Sequence, residues 1–211
     1  MAIDAVFFDF GGVFTPSPFA VIRAAGPELG LDPELVLSLC FGPYDDDTDH
    51  PWHRLERGEL PLIEARRQLV ALAADQDVVL DPFTLLARLA GEDPDRSLFV
   101  DRVRELRRQG YRTGMITNNI AEFGDGWRAM VPVDELFEVI IDSSRVGVRK
   151  PDPRIYRLAL EALDVEVAER AVFLDDHAGN LVGAASVGMQ TVLVGADRPA
   201  ALARLDEMLA G

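Results

Sequence analysis

The sequence predicts an α/β fold: a Rossmann-like parallel sheet, interrupted after its first strand by an inserted α-helical segment. Three observations carry this. Short, nearly continuous apolar runs that end on polar residues recur along the chain, as in strands buried on both faces. Helical spacing fills the intervals between the later runs. One long stretch near the start holds helical patterns without a convincing strand.

The first strand is expected over residues 3–10, stopped by Asp9-Phe10-Gly11-Gly12. From about Thr15 to Asp95 the alternation breaks, with helical patterns over 33–40, 61–74 and 82–90. Prolines and the Asp45, Asp46, Asp47, Asp49 cluster mark loops within it. Four further strands are expected over 111–117, 137–142, 171–175 and 190–194. The intervals carry apolar stripes at Phe99, Val103 and Leu106; Ile155, Leu158 and Ala162; Leu181, Ala184 and Val187; and Leu202, Leu205 and Leu209. Such alternation builds an open sheet with helices on both faces. The expected organisation is one α/β unit of residues 1–14 and 96–211, with residues 15–95 inserted.

The chain has 211 residues with Lys+Arg 21 against Asp+Glu 36, a formal net charge of −15. A globally negative surface repels nucleic acid and anionic membranes, so neither partner is expected. Any phosphate-bearing ligand must then be held by local positive groups. Cys40 is the only cysteine, which rules out an intrachain disulfide and a cysteine-based zinc cluster. No apolar run approaches the ~20 residues of a spanning helix, and the first residues form no basic leader. A cytoplasmic protein acting on a small molecule, as monomer or homodimer, is the expectation.

Twenty of the 21 basic residues are arginine; Lys150 is the exception. Against that background a retained lysine marks a place where a compact ammonium differs from a guanidinium. In an open parallel sheet, ligands bind beyond the carboxyl ends of the strands. Asp9, Thr117-Asn118-Asn119 and Asp175-Asp176 fall at those ends, and Lys150 lies in a proline-flanked turn opening a helix. Taken singly, each has a structural reading: strand-end Asp and Thr residues often cap helices, and a lysine is usually a surface residue.

In this order and context, Asp9, Thr117, Lys150 and Asp175-Asp176 resemble the four motifs of the haloacid dehalogenase (HAD) superfamily, across nearly the whole chain. The resemblance implies that residues 15–95 are a cap. It implies Asp9 as nucleophile of phosphoryl transfer through an aspartyl-phosphate. Mg2+ would be held by Asp9, the backbone carbonyl of Gly11 and Asp176, with Asp175 close by. Lys150 would neutralise the phosphate and hold Asp9, while Thr117, Asn118 and the backbone at Gly12 would meet the phosphoryl oxygens. The implied substrate is a small phosphate ester.

The chain departs from the superfamily pattern at Gly11, where most of its phosphatases carry a second Asp that protonates the leaving group. Losing a general acid costs ~10²–10⁴ in rate. An Asp-x-Gly-x-Val first motif is similar to that of bacterial glucose-1-phosphate phosphatases and of the phosphatase domain of soluble epoxide hydrolases, which favours a sugar phosphate. The missing second Asp also fits a metal-independent 2-haloacid dehalogenase, whose halide leaves without a proton, although dehalogenases place an aromatic where Gly11 sits; it fits as well a catalytically weak pseudo-phosphatase acting through a partner, against which the retained Lys150 speaks. His177 could reach the site, but a loop histidine is more often solvent-exposed than catalytic; His50 and His53, beside Trp52, either face the substrate or merely pack, and suit substrate contact better than chemistry.

Overall fold

The computed structural model describes residues 2–89, 93, 95–124 and 126–211. Its centre is a five-stranded, all-parallel sheet of β1 (Ala5–Phe8), β2 (Arg112–Thr117), β3 (Val139–Asp142), β4 (Ala171–Asp175) and β5 (Gln190–Leu193), in the spatial order β3-β2-β1-β4-β5. Between β1 and β2 lie α1 (Pro18–Leu29), α2 (Pro33–Phe41), α3 (Pro51–Glu56), α4 (Leu62–Ala74), α5 (Pro82–Leu86) and α6 (Arg96–Arg108). After β2 come α7 (Val133–Leu136), α8 (Ser143–Val146), α9 (Pro153–Ala162), α10 (Ala178–Ser186) and α11 (Arg198–Ala210).

β1 is the middle strand, and its four residues are all buried. Alternation along it explains why: Val6 and Phe8 face one side with Met115, Val172 and Leu174, under α6 and α11. Ala5 and Phe7 face the other with Ile116 and Phe173, under α9 and α10. A strand covered on both sides has no reason to alternate polar and apolar residues. The expected strand over 3–10 is longer than the observed one because the ladder stops at Phe8; Phe10 beyond it packs its ring on Trp127 at 4.9 Å.

Five helices start by one device, a capping side chain followed at once by proline: Ser17, Asp32, His50, Asp81 and Asp152 each accept a backbone N–H of the first turn, and Asp197 does the same for α11 with proline one residue later, at Pro199. Proline there gives up an N–H the helix cannot use and presets φ. The expected helix over 82–90 begins on this device at Pro82 and gives way to a 3₁₀ turn over Ala87–Leu89; Ala90 lies outside the described residues.

Helix α1 has no counterpart in the sequence-based expectation. It contains Gly26 and Pro27, both ordinarily read as breaks. Gly26 is required by packing, since a Cβ there would lie 2.8 Å from Pro33 Cα. Helices α1 to α5 enclose their own apolar cluster, with Ile22, Val36, Leu55 and Leu69 fully buried. Ile120, just beyond β2, joins that cluster and ties it to the carboxyl edge of the sheet.

Candidate active site

Parallel pairing sends the carboxyl ends of β1, β2 and β4 to one edge, so residues far apart in sequence meet there. Asp9 leaves β1 with its N–H donating to the Leu174 carbonyl at 2.8 Å. Lys150, 1% exposed, reaches in from the loop before α9. Its Nζ lies 2.7 Å from Asp9 Oδ1 and 2.7 Å from Asp175 Oδ2. The lysine backbone is clamped by Asn118, whose Oδ1 accepts the Lys150 N–H at 2.8 Å and whose Nδ2 donates to the Lys150 carbonyl at 3.1 Å. Asn118, expected at the substrate, thus has both ends of its amide committed to the lysine loop while still lining the cavity above Asp9. Thr117 ends β2 beside it, nearly buried and also lining the cavity.

The two acidic residues after β4 serve differently. Asp175 accepts Asn180 Nδ2 at 3.1 and 3.0 Å and the His177 N–H at 2.8 Å besides the Lys150 ammonium, so both its oxygens are engaged within the protein. Asp176 takes the Ser17 hydroxyl on Oδ2, and its Oδ1 is buried with no hydrogen-bond partner. Gly12 lies against this carboxylate with φ +72°, and a Cβ there would sit 2.1 Å from Asp176 Cγ. Only glycine meets both demands, so the residue offers its backbone alone. Gly11 differs: a Cβ would find only Pro18 Cγ at 3.4 Å and Cδ at 3.6 Å, ordinary contacts. Space does not forbid a carboxyl at position 11.

Burial pushes the Asp9 carboxyl well above the usual carboxylate range; Lys150 opposes this and the charges of Asp175 and Asp176 add to it. Burial, and then Asp175, raise Asp176 to about 7, against the Ser17 hydrogen bond. Burial also works against the Lys150 ammonium, but Asp175 and Asp9 outweigh it and hold its pKa above the ordinary value. One ligand oxygen from each of Asp9, Asp175 and Asp176 can be chosen so that all lie within 4.8 Å of one another. Three carboxylates face one ammonium there. An all-oxygen donor set with an unpartnered buried Oδ1 fits a hard divalent cation such as Mg2+.

A cavity of about 320 Å³ opens over Asp9, between the sheet edge and the helical layer. The helical layer reaches the lysine loop through Glu56, 3% exposed at the end of α3. Its carboxylate accepts Arg149 Nε at 2.7 Å, the Tyr44 hydroxyl at 2.9 Å and Trp52 Nε1 at 2.8 Å. Tyr44 in turn accepts Asn118 Nδ2 at 3.1 Å. Ser17, Tyr44, Glu56, Arg149 and Asn180 were not singled out from the sequence. Only Arg149 and Asn180 sit near a motif, and nothing in their spacing reveals the partners they find.

For His50 and His53 the packing alternative holds, and for His177 the expected exposure is corrected. His53 is fully buried, accepts the Thr48 N–H on Nδ1 at 3.0 Å, and does not line the cavity. His50 caps α3 by accepting the Trp52 N–H at 3.3 Å. Packing and capping occupy both, and Trp52 between them is the residue that reaches the cavity. His177 is not solvent-exposed: its side chain is 15% exposed, stacked on Phe19 at 4.6 Å, with Nε2 2.9 Å from Asp45 Oδ1. Burial lowers its pKa, partly offset by Asp175 and Asp45. Among the described residues, no helix is long and apolar enough to cross a membrane.

The model of the haloacid dehalogenase-like hydrolase family matches residues 3–188. Over 98% of its length the chain is 32% identical to acyl-CoA dehydrogenase family member 10 of Mus musculus, and over 99% it is 27% identical to bifunctional epoxide hydrolase 2 of Rattus norvegicus. It spans only 19% and 39% of those two proteins. It is 29% identical to the sesquiterpene phosphatase astK of Aspergillus oryzae, covering 88% of this chain and 86% of that one. Among solved structures, a HAD-like hydrolase from Porphyromonas gingivalis superposes with TM-score 0.64 at 21% identity, covering 97% of this chain and 98% of that one. A HAD family enzyme from Bacteroides thetaiotaomicron, in a magnesium complex, superposes with TM-score 0.59 at 16% identity, covering 93% and 96%.

Proposed function

The chain belongs to the haloacid dehalogenase-like hydrolases, and on that premise we propose that it hydrolyses small phosphate esters with Mg2+ as cofactor and Asp9 as nucleophile. One observation carries the proposal: Lys150 lies between Asp9 and Asp175 in a buried pocket whose remaining carboxylate, Asp176, keeps one oxygen unpartnered.

Asp9, Asp176 and the Gly11 carbonyl would hold the cation, with Asp175 beside them. When bound, it screens the incoming phosphate from the carboxylates and stabilises charge on the transferring group. The protein's own groups do the rest. Lys150 favours the ionised form of Asp9 against its burial and aims it, and its charge draws the phosphoryl oxygens. Asp175 and Asn118 hold that lysine, one by its ammonium and the other by its backbone. The Thr117 hydroxyl and the backbone at Asn118 and Gly12 donate to the phosphoryl oxygens. An Asp9 oxygen attacks phosphorus, the bond to the ester oxygen breaks, and water then cleaves the aspartyl-phosphate. In this scheme residues 15–95 act as the cap over a core of 1–14 and 96–211, in a cytoplasmic monomer or homodimer.

The 2-haloacid dehalogenase alternative explains the missing second Asp but leaves the unpartnered oxygen of Asp176 without a use. The test is phosphate release from p-nitrophenyl phosphate and a panel of sugar phosphates, for wild type and Asp9→Asn, with Mg2+ and with chelator. Release that needs both Asp9 and Mg2+ is expected. Chloride release from 2-chloropropionate without metal, and no phosphate release, would move the assignment to the dehalogenase. Absence of both would favour the partner-binding role.

A further inference from the structure

The floor and the walls of the cavity differ in chemistry. Asp9, Lys150, Asp176, Thr117 and Asn118 make a polar floor. Above it stand Phe19, Phe41, Trp52 and Leu86 from the helical layer, and Ile120 and Trp127 from the segment after β2. Phe123 and Met130, 48% and 37% exposed, continue the same surface. The rings brace one another, Phe41 on Trp52 at 4.8 Å and Phe19 on Tyr44 at 4.8 Å, so the apolar wall is a packed surface.

From α1 to α5, the polar side chains that reach this wall are Tyr44 and Glu56, and both are already engaged. Glu56 takes Arg149, Tyr44 and Trp52; the Tyr44 hydroxyl donates to Glu56 and accepts from Asn118. Asn119, at the other side, turns its amide N–H to Asp142 at 2.8 Å. Of the wall's ring nitrogens, Trp52 Nε1 is taken by Glu56 and Trp127 Nε1 is unpartnered but itself buried, so a polyhydroxylated group entering here would surrender most of its hydrogen bonds to water and meet chiefly ring carbon. Each hydroxyl left unpaired costs roughly ten- to hundredfold in binding. A hydrocarbon group of the same shape gains from the same contacts.

We infer that the cavity selects phosphate monoesters whose organic group is apolar, and that it discriminates against sugar phosphates; this rests on the phosphatase reading above and narrows it. Such selection runs against the sugar-phosphate expectation drawn from the first motif, since in it the walls and not the motif meet the organic group.

The experiment compares cyclohexylmethyl phosphate with glucose 6-phosphate as competitive inhibitors of Mg2+-dependent p-nitrophenyl phosphate hydrolysis. Both carry a six-membered ring on a primary phosphate ester and differ mainly in hydroxyls, so leaving-group chemistry does not enter. The apolar ester is expected to bind about a hundredfold more tightly or better. A ratio below about tenfold, or a preference for the sugar, overturns the inference while leaving the phosphatase reading intact. No hydrolysis of p-nitrophenyl phosphate overturns both. Met130→Gln, nearly isosteric and at a partly exposed wall position where folding tolerates it, should lower the ratio; an unchanged ratio also counts against selection by these walls.

Discussion

The guanidinium of Arg149 meets the carboxylate of Glu56 at 2.7 Å with both side chains out of solvent, 0% and 4% exposed. Glu56 ends α3 in the helical layer, and Arg149 is the residue before Lys150. The pair therefore joins the layer over the cavity to the loop that carries the ammonium. Tyr44 reinforces it, lying under the guanidinium at 4.4 Å from its ring centroid. Removing one member leaves a buried charge without its partner, which typically costs ~3–5 kcal/mol. Glu56→Ala should lose about that much in urea unfolding, and Glu56→Ala with Arg149→Met should recover much of it. A single-variant loss under ~1 kcal/mol would mean water reaches the pair.

Lys150→Arg should fold and yet lose at least ~10²-fold in kcat for phosphate release. The ammonium fits between Asp9 and Asp175 at 2.7 Å from each, over the Phe173 ring at 5.3 Å and nearly without solvent. A planar, wider guanidinium cannot occupy that point without displacing one carboxylate. Wild-type turnover in this variant would make the survival of a lone lysine at this position a matter of chance.

Gly11→Asp is expected to be tolerated, because the nearest atoms to a new Cβ are Pro18 Cγ and Cδ at 3.4 and 3.6 Å. A carboxyl there can protonate a poor leaving group. Hydrolysis of alkyl phosphates should therefore rise more than that of aryl phosphates, whose leaving oxygen scarcely needs a proton; a gain of ~10-fold or more is the scale for a restored acid. Equal or harmful effects on both esters would show a site built around glycine.

Stability should fall on acidification through His50 and His53. Burial, and then the Arg149 guanidinium, lower their pKa values to about 4 and about 3 from an ordinary 6.5. A base whose folded pKa is depressed contributes stability that is full above pH 6.5 and is lost as pH falls toward the folded values, because the unfolded chain takes up the protons first. Each such group steepens the loss by up to ~1.4 kcal/mol per pH unit. Urea midpoints measured from pH 7 down to pH 4 should show a shallower acid limb in His53→Gln than in wild type. Identical limbs would mean His53 is protonated in the folded protein.

Much of the polar floor is legible in the amino-acid sequence. Strands buried on both faces advertise themselves as apolar runs, and a parallel sheet sends their carboxyl ends to one edge, so Asp9, Thr117 and Asp175-Asp176 could be brought together from order alone. Lys150 stood out because arginine replaces lysine everywhere else in the chain. Helix α1 escaped because Gly26 and Pro27 carry break signals that packing overrides.

The sequence by itself determined the alternating α/β order, the helical insertion and the residues of the polar floor, since these follow from local periodicity and from connection rules for parallel strands. Tertiary structure alone decided which groups complete the site. Ser17 finds Asp176 across 159 residues, Arg149 finds Glu56 across 93, and Asn118 finds Tyr44 across 74. Contacts at such separations leave no spacing to read, because they are set by how the helical layer docks on the sheet edge. The same docking turned Trp52 toward the cavity and buried His53, and so gave the site an apolar wall above a charged floor.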